Sequence, residues 1–470
     1  MRQYLFFLTT VTACGVVLAS AGCGDNRGGG NGPDAGTGDV DAASGDAAVD
    51  APTDTGPPAC DLVWHDFQFG TDLDDEISGL TTDANHNIYV AGYEHGRNDI
   101  SDVPPDGDSR GVVYKLDPTG AVKWKTVLDT PGADSAEDVT IDPASGKVYV
   151  AGRTTGAFNG FTNKGQFDTV LATLEPTGQI ANIFQTGDER PQHPARLTLG
   201  PNRSVLLAGY DDLFIEGTAV TAREAGFLAS FQRGATLDAP YTLNFEQKDP
   251  SSQSIYRRVT GVAIDGDGSG SMYVTGWVSR VGAGPYVKKM NSDGTVVWNH
   301  QITSSPAGAT TSLAQAVAMS PSNELIVAGV TGVQLGTTSF GAQDAFVMKV
   351  DKATGNPVWI TQAGSIGADF TTAMAIDDTG NIYIAGETDG SLVRGGTNQG
   401  SFDAFVMKFG PDGTLLSTWQ KGTATYDFAR SIAVDHCGKV FVGVHSQTGL
   451  LPGTPTTAGG YDMYVVQATL

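Results

Sequence analysis

A pattern of about 59 residues recurs seven times after residue 60, and this repeat limits the fold more than any other feature of the sequence. Residues 88–92 read IYVAG, and similar segments end at Gly152, Gly209, Gly276, Gly329 and Gly386, with a degenerate copy ending at Val444. Each repeat holds four short apolar runs separated by turn sequences such as DPTG and GPDG, which predicts a four-stranded antiparallel meander. The second and third runs are apolar at nearly every position. We therefore expect both faces of these strands to be buried between radially stacked sheets.

The two ends of the chain together supply the four strands of the seventh repeat. Residues 462–470 match the third run and then stop, so the seventh repeat lacks its fourth strand. Residues 61–68 (DLVWHDFQ) resemble the fourth run of another repeat, residues 294–301 (GTVVWNHQ). The sequence thus predicts an all-β fold over residues 60–470, a seven-bladed β-propeller of four-stranded antiparallel blades, with the ring closed by the N-terminal strand in the last blade. This closure would cover a sheet edge that could otherwise template aggregation.

The first 22 residues are typical of a bacterial lipoprotein signal peptide. Met1 and Arg2 give a positive start, residues 4–22 carry no charge, and the stretch ends in small residues directly before Cys23. This ending is similar to a lipobox, which implies cleavage and acylation at Cys23, although Ser20 stands where such motifs usually carry a leucine. An uncleaved membrane anchor and simple secretion are the alternatives.

Residues 23–59 differ in composition from the rest of the chain. They are rich in Gly, Ala, Asp and Pro and contain no aromatic residue, so they cannot bury enough apolar surface to fold. We interpret them as a disordered acidic linker that holds the propeller on the order of 30 Å from a membrane. The expected location is the cell envelope of a bacterium, lipid-anchored at the outer membrane or cell surface. Gly24, in place of Asp, indicates outer-membrane sorting by analogy.

Cys60 and Cys437 are predicted to form a disulfide. Cys60 precedes the N-terminal strand, Cys437 lies in the turn between the first two strands of the seventh repeat, and both positions fall on the same rim of the ring. Exported proteins fold in compartments where disulfides form. Because the two strands are two spacings apart, about 10 Å, the turn must lean outward for the bond to form. The alternative is two free thiols.

The repeated NIYIAG and DAFVMK segments, with their Gly-rich turns and a lipoprotein-like leader, resemble the bacterial β-propeller repeat family known as SBBP repeats. The resemblance extends over nearly all of residues 61–470 and implies a seven-bladed ring on an exported or surface protein. It implies little about biochemistry, because propellers host many unrelated activities. Residues 351–359 also resemble the tryptophan-docking motif of quinoprotein dehydrogenases, which implies that the recurring tryptophans pack the outer strands and lock blades together: Trp64, Trp124, Trp298, Trp359 and Trp419.

Two groups of aspartates are candidate binding residues on the rim where the second and third strands are joined. One group recurs eight residues before the end of the first strand, near the expected channel mouth, and could hold a cation or cap local turns: Asp75, Asp134, Asp369 and Asp427. The other crowds one loop of the first repeat and favours a cationic partner or Ca²⁺, with a solvated acidic loop as the alternative: Asp99, Asp102, Asp106 and Asp108.

A third candidate is a calcium loop in the fourth repeat. Asp265, Asp267 and Ser269 form the DxDxSG opening of such a loop, with oxygen ligands at alternate positions. Gly276 stands at position twelve, where the bidentate glutamate would be. An enlarged Gly-rich turn is the alternative interpretation.

The net charge of the chain and the absence of several common motifs limit the classes of partner and activity that the sequence predicts. Lys and Arg number 28 against 52 Asp and Glu, a net charge of −24, and such a surface repels phosphate backbones, which excludes nucleic acid as a partner. No zinc-type Cys/His spacing or P-loop motif is present. We therefore predict a non-enzymatic, monomeric, membrane-tethered propeller that binds or scaffolds an extracytoplasmic protein or polysaccharide, with Ca²⁺ as the one cofactor indicated. The alternative is a hydrolase or lyase with a site at the channel mouth.

Overall fold

The fold is known from a computed structural model that describes most of the repeat region. The described residues are 60–71, 73–96, 109–200, 204–213, 223–232, 242–248, 256–279, 284–302, 312–336, 338–393, 396–447, 449–450 and 460–470. They belong to one unit, Pro57–Leu470. The predicted signal peptide and linker lie outside the described residues.

The described strands form seven four-stranded antiparallel sheets, the blades, each with strands named A to D from the channel outward. The A strands are β2 (Asp74–Thr82), β6 (Asp134–Ile141), β10 (Gln192–Leu199), β14 (Tyr256–Ile264), β18 (Leu313–Met319), β22 (Asp369–Ile376) and β26 (Asp427–Val434). The B strands are β3 (Ile88–Gly96), β7 (Val148–Thr154), β11 (Ser204–Leu213), β15 (Met272–Ser279), β19 (Leu325–Thr331), β23 (Ile382–Thr388) and β27 (Val440–Ser446). The C strands are β4 (Arg110–Leu116), β8 (Asp168–Leu174), β12 (Arg223–Gln232), β16 (Pro285–Met290), β20 (Asp344–Val350), β24 (Asp403–Phe409) and β28 (Asp462–Ala468). The D strands are β5 (Val122–Leu128), β9 (Ile180–Thr186), β13 (Thr242–Lys248), β17 (Val296–Gln301), β21 (Pro357–Ala363), β25 (Leu415–Lys421) and β1 (Phe67–Phe69).

Two rims follow from this strand order. The A–B and C–D turns lie together on what we call the lower rim, and the B–C loops and D–A crossovers lie on the upper rim. The A strands of all seven blades line a central cavity of about 400 Å³. The predicted seven-bladed architecture is therefore confirmed.

The ring closes as predicted, through the N-terminal strand. β1 pairs antiparallel with β28, with Phe67 opposite Val465 and Phe69 opposite Met463. The strand is shorter than the sequence match indicates, because it starts at Phe67 rather than near residue 61. The residues before it leave the sheet, and Trp64 turns inward to pack 4.8 Å from the Phe441 ring.

The B and C strands carry the core. Every residue of β19 and β23 is buried, and so is every residue of β8. Each of these strands packs against the neighbouring blade on both faces, as the continuous apolar runs predict. The seven-fold repetition of this arrangement places the hydrophobic core between the blades rather than at one centre.

Tryptophans of several D strands join one blade to the next. The indole N–H of Trp124 donates to the Pro176 carbonyl at 3.0 Å, and that of Trp298 donates to the Lys352 carbonyl at 3.1 Å. Both acceptors lie in the C–D turn of the following blade. A side chain at Gly178 in the first of these turns would overlap the Trp124 ring. The predicted packing role of these tryptophans is confirmed.

Trp64 packs on a glycine of the next blade in the same way, here across the ring closure. Its ring lies over Gly120 in the C–D turn of the first blade, and the neighbouring His65 N–H donates to the Thr119 carbonyl at 3.2 Å. The polypeptide therefore closes the ring twice, by the β1–β28 ladder and by docking of Trp64 onto the first blade.

A β-bulge in every A strand explains the repeated glycine of the B strands. In the sixth blade Thr371 pairs with Gly386 and Ala373 with Ala385, which leaves Thr372 as the extra residue. A β-carbon at Gly386 would overlap the carbonyl of Phe370. Equivalent overlaps arise at the matching glycines of the first five blades: Gly92, Gly152, Gly209, Gly276 and Gly329.

Candidate functional site

One repeated position at the upper end of the B strands carries side chains of different chemistry from blade to blade. This position is the residue after the repeated glycine of each B strand, and after Val444 in the seventh blade. We call these seven residues the mouth ring: Tyr93, Arg153, Tyr210, Trp277, Val330, Glu387 and His445. Each of them pairs with the upper part of an A strand, next to the bulge.

One side of the mouth ring is cationic and aromatic. Arg153 lies 2.9 Å from Glu137 and 2.7 Å from Nδ1 of His193, so it joins the second blade to the third. His193 stacks on Tyr210 at 4.6 Å, and the Arg258 guanidinium covers the same tyrosine ring at 4.2 Å. This half of the mouth therefore consists of interlocked Arg, His and Tyr side chains.

The other side holds a buried acidic pocket between the sixth, seventh and first blades, which we call the Glu387 pocket: Glu76, Glu387, Arg430, His445 and Tyr461. Arg430, the bulge residue of β26, has Nη1 3.6 Å from Glu387 and Nε 3.8 Å from Glu76. His445 Nδ1 is 3.6 Å from Glu76, and the Tyr93 hydroxyl donates to Glu76 at 2.8 Å. Long ion pairs thus link the two carboxylates to one guanidinium.

Glu387 is the unusual member of this pocket. Its side chain is 1 % exposed, and neither carboxylate oxygen has a hydrogen-bond partner among the described residues. The same holds for Nδ1 of His445 and the Tyr461 hydroxyl, both in buried residues. Unpaired buried polar groups are rare in folded proteins and point to a bound water, ion or ligand.

The pKa values of the two carboxyl groups in the pocket are shifted in opposite directions from their usual values. Burial raises the pKa of Glu387 to about 7, with the Arg430 charge opposing the rise. Burial also acts against ionisation of Glu76, but the neighbouring His445, the Arg430 guanidinium and the Tyr93 hydrogen bond hold its pKa below the usual value. Burial lowers the pKa of His445 to about 3, so this imidazole is neutral at neutral pH. The pocket therefore offers one carboxylate, one carboxyl group that titrates near neutrality and one guanidinium.

Aromatic rings form the wall beside these polar groups. The Phe428 ring lies 4.8 Å from the Arg430 guanidinium, 5.2 Å from His445 and 6.2 Å from Tyr461. A carboxyl group, a guanidinium and flat apolar surface in one pocket suit a ligand with both hydroxyl groups and apolar faces.

The structure does not bring the four repeated aspartates together; it uses each of them within its own blade. Asp75 accepts from the backbone N–H and hydroxyl of Thr71, and Asp369 does the same with Ser365. Asp134 and Asp427 bind Thr130 and Thr423 in the same way. These contacts match the alternative we gave, capping of the crossover turn.

The predicted calcium residues have protein partners. Oδ1 of Asp265 accepts from the Lys352 ammonium group at 2.8 Å, and Oδ2 accepts from the Tyr273 hydroxyl at 2.8 Å. Asp267 accepts from the backbone N–H of Ser269 at the tip of the turn. A lysine cation thus lies against the first proposed ligand. The acidic loop with Asp99, Asp102, Asp106 and Asp108 lies outside the described residues, and so does Cys23.

A second polar cluster lies on the lower rim at the ring closure. Cys60 and Cys437 are joined by a disulfide with their Cα atoms 5.5 Å apart. The separation is short because residues 60–66 leave the sheet before β1 begins and pass over the A–B turn of the seventh blade. His86 and Asp435 lie beside Cys437, and the three could hold a metal ion by spacing alone. The sulfur of Cys437 is committed to the disulfide and Nδ1 of His86 to Asp435.

Sequence reasoning missed the mouth ring and the Glu387 pocket. A signal was available, because the residue after the repeated glycine changes from blade to blade while the glycine and the buried positions before it stay alike. The pocket contacts were not available, because Glu76 and Arg430 meet only when the ring closes.

We expect the protein to be more stable at pH 5 than at pH 7.5. Burial raises the pKa of Asp75, Asp134 and Asp369 to about 6, although hydrogen bonds oppose the rise. Between about pH 4 and pH 6 the folded chain therefore binds more protons than the unfolded chain. Its stability is highest below this window and is lost as the pH rises through it. His445 acts in the opposite direction below about pH 6.5, because only the unfolded chain then takes up its proton.

Glu387, whose pKa burial raises to about 7, adds to this gain, so the net gain from pH 7.5 to pH 5 is roughly 4 kcal/mol, or a rise of several degrees in Tm. Differential scanning calorimetry at matched ionic strength measures it. A Tm that falls steadily over this range would show that the three aspartates are not protonated in the folded state.

The fold defines the class of this chain as a seven-bladed β-propeller protein. Residues 358–392 match the SBBP family model, described as a beta-propeller repeat. The match runs from strand D of the fifth blade through strand B of the sixth. The chain carries the SBBP β-propeller repeat, as its sequence indicates.

Several solved structures are similar to this chain at low sequence identity. Sqt1 from Chaetomium thermophilum is 12 % identical, with a TM-score of 0.44 over 84 % of this chain and 97 % of its own. Puromycin hydrolase is 15 % identical, with a TM-score of 0.44 over 79 % of this chain and half of its own length. A Hadza microbial sialidase is 9 % identical, with a TM-score of 0.42 over 84 % of this chain and 65 % of its own.

No curated protein matches the chain significantly. Within the described residues, no helix has the length and apolar character needed to cross a membrane.

Proposed function

We propose that this protein is an exported, membrane-tethered propeller that binds an extracytoplasmic polysaccharide or protein at its channel mouth, without chemical turnover. The repeat supports this proposal, because six of the seven blades keep the same glycine and all keep the buried strands, while the side chain in the mouth ring varies between blades. Variable side chains on a rigid ring are typical of recognition surfaces. Lipid attachment at Cys23 and a location in the bacterial envelope are part of the same proposal.

The Glu387 pocket is the observation that carries the proposal. The carboxylate oxygens of Glu387, Nδ1 of His445 and the Tyr461 hydroxyl lack hydrogen-bond partners within the described part of the chain, so a ligand that supplies them is favoured. A carboxyl group near its pKa both donates and accepts hydrogen bonds, as sugar hydroxyl groups do. The Phe428 and Tyr461 rings offer surface for the apolar face of a sugar. Between the two ligand classes, these features favour a polysaccharide.

Affinity electrophoresis tests this binding. The chain from Cys60 onward is run in native gels that contain dextran, mannan or xylan, and we expect at least one of them to retard it. Glu387→Ala should weaken this retardation at least about tenfold, the effect of losing one strong charge-assisted hydrogen bond. Glu324→Gln is the control, since Glu324 lies on the lower rim and pairs with Lys349. Equal retardation of Glu387→Ala and the unchanged chain would contradict a role for the pocket.

A hydrolase or lyase at the mouth is the second candidate function. The observation in its favour is the pair of glutamates with pKa values displaced in opposite directions, since such a pair can divide the roles of acid and base. The same polysaccharides are incubated with the protein and assayed for new reducing ends. Release that disappears in both Glu76→Gln and Glu387→Gln would support the enzyme over the binding protein.

A further inference from the structure

His86 lies against the disulfide that closes the ring. It belongs to the A–B turn of the first blade, next to the A–B turn of the seventh blade that carries Cys437. Its Nε2 is 3.7 Å from the sulfur of Cys437, and its Nδ1 is 3.0 Å from Oδ2 of Asp435. The imidazole is 5 % exposed, so its position is fixed by the surrounding turns.

Asp435 is held in place by its own turn. Its Oδ1 accepts from the backbone N–H groups of Cys437 at 2.9 Å and Lys439 at 2.8 Å, which leaves Oδ2 directed at His86. With the Nδ1 proton bound by this carboxylate, the imidazolium form of His86 presents Nε2–H to the sulfur of Cys437. A cationic donor next to a sulfur stabilises its thiolate form.

The two sulfurs of the disulfide differ in access. Cys60 is exposed and Cys437 is half-buried beneath it. Exchange with a thiolate is faster when the attacked sulfur is accessible and the leaving sulfur is stabilised as an anion. Both conditions favour attack at Cys60 with Cys437 as the leaving group.

We propose that the Cys60–Cys437 disulfide is a thiol-exchange site, at which a low-molecular-weight thiol forms a mixed disulfide with Cys60 and His86 stabilises the released Cys437. The incoming thiolate forms a bond to the sulfur of Cys60, and the Cys60–Cys437 bond breaks. The electron pair of that bond stays on Cys437, which becomes a thiolate and accepts a hydrogen bond or the proton from Nε2–H of His86. The number of disulfides does not change in this step, so no further oxidant or reductant is needed.

Exchange would leave the ring closed only by non-covalent contacts. The β1–β28 ladder and the docking of Trp64 remain, while the covalent link between the N-terminal segment and the seventh blade is lost. The site therefore couples the thiol content of the surroundings to how firmly the propeller is held to its N-terminal segment. This inference does not depend on the proposed binding at the mouth.

The test uses the oxidised full-length protein in detergent with reduced glutathione. Samples are quenched by acid, and mass spectrometry measures the rate of exchange and the cysteine that carries glutathione. We expect the adduct on Cys60 and an exchange rate about tenfold lower in His86→Asn. Asparagine suits this position because His86 has a φ of 61°, a backbone conformation that asparagine tolerates.

His436→Asn is the matched control. His436 is next to Cys437 in sequence, but its ring bonds Asp378 and is exposed, so we expect its rate to equal that of the unchanged protein. Asp435→Asn provides a second variant, with a smaller decrease in rate, should His86→Asn fold poorly. Equal rates in His86→Asn and the unchanged protein, or glutathione bound mainly to Cys437, would overturn the proposal.

Discussion

A chain that begins at Gly70 is expected not to form a stable propeller, whereas a chain that begins at Cys60 is expected to fold. The shorter chain lacks β1, the buried side chains of Trp64 and Phe69, and the disulfide. Loss of a buried aromatic side chain costs about 3 kcal/mol, and a disulfide that closes a loop of this length contributes about 4 kcal/mol. The total, roughly 10 kcal/mol, is comparable to the whole stability of a typical protein. The deletion also exposes the edge of β28, which favours aggregation.

Thermal unfolding and size-exclusion chromatography of the two chains measure this effect. We expect a cooperative transition and a monomer for the longer chain, and aggregates or no cooperative transition for the shorter one. Trp64→Ala and the Cys60→Ser/Cys437→Ser pair separate the contributions of docking and disulfide. A monomer with an unchanged Tm from Gly70 onward would mean that ring closure contributes little to stability.

The second large effect is expected from Gly386→Ala, which adds one carbon atom. The new β-carbon would overlap the carbonyl of Phe370 and touch the Phe405 ring, so the backbone of the β22 bulge must move. Inserting an atom into a packed core usually costs 1 to 3 kcal/mol, and we expect about 3 kcal/mol here because backbone rather than a side chain has to shift. Thr372, the bulge residue, would also lose its hydrogen bond to the Ala429 carbonyl of the seventh blade.

Gly336→Ala is the control for this substitution. A β-carbon there meets the Gln362 side chain and backbone at 3.3 Å, so Gln362 has to move by only a few tenths of an ångström, and we expect a change below about 1 kcal/mol. Urea unfolding followed by tryptophan fluorescence gives both values. Similar destabilisation by the two substitutions would show that the bulge accommodates a side chain and that the repeated glycine has another cause.

The bulge also connects stability to the proposed site. It turns Arg430 toward Glu387 and Glu76, and in the second blade it places Glu137 against Arg153. In the first six blades, the β-bulge of the A strand requires the glycine that precedes the mouth-ring residue. The same bulge directs the neighbouring A-strand side chain. The mouth and the fold therefore share one structural element, and mouth-ring residues such as Val330 and Glu387 are themselves buried.

Most of the fold could be predicted from residues close together in sequence. Apolar runs of the B and C strands, the turn sequences and the repeated glycine occur within each unit, so each blade is specified locally. The missing fourth strand of the seventh repeat and its copy at residues 61–68 predict the closure. The start of β1 at Phe67 could not be predicted, because Trp64 leaves the sheet to dock on Gly120, a contact between distant parts of the chain.

The candidate site was less accessible to sequence reasoning. Asp75 and Asp369 were recognised as a pattern, but a short spacing to Thr71 and Ser365 decided their role as turn caps. Asp265 matched a calcium loop, yet Lys352 of the next blade lies against its carboxylate. In each case the role of the polar side chain depends on which groups the fold places next to it. A motif within one segment does not show which groups these are.

The order of strands and the number of blades follow from the sequence alone, because hydrogen bonding and burial between neighbours within one repeat specify each blade. The way the ring closes follows from it too, because residues 61–68 repeat the fourth strand that the seventh repeat lacks. The Glu387 pocket and the contact of His86 with the disulfide exist only in the closed ring, which brings residues some 350 positions apart in the chain to within 4 Å. Burial at these junctions, rather than residue type, sets the pKa of Glu387. It also leaves the Glu387 carboxyl group without a hydrogen-bond partner among the described residues.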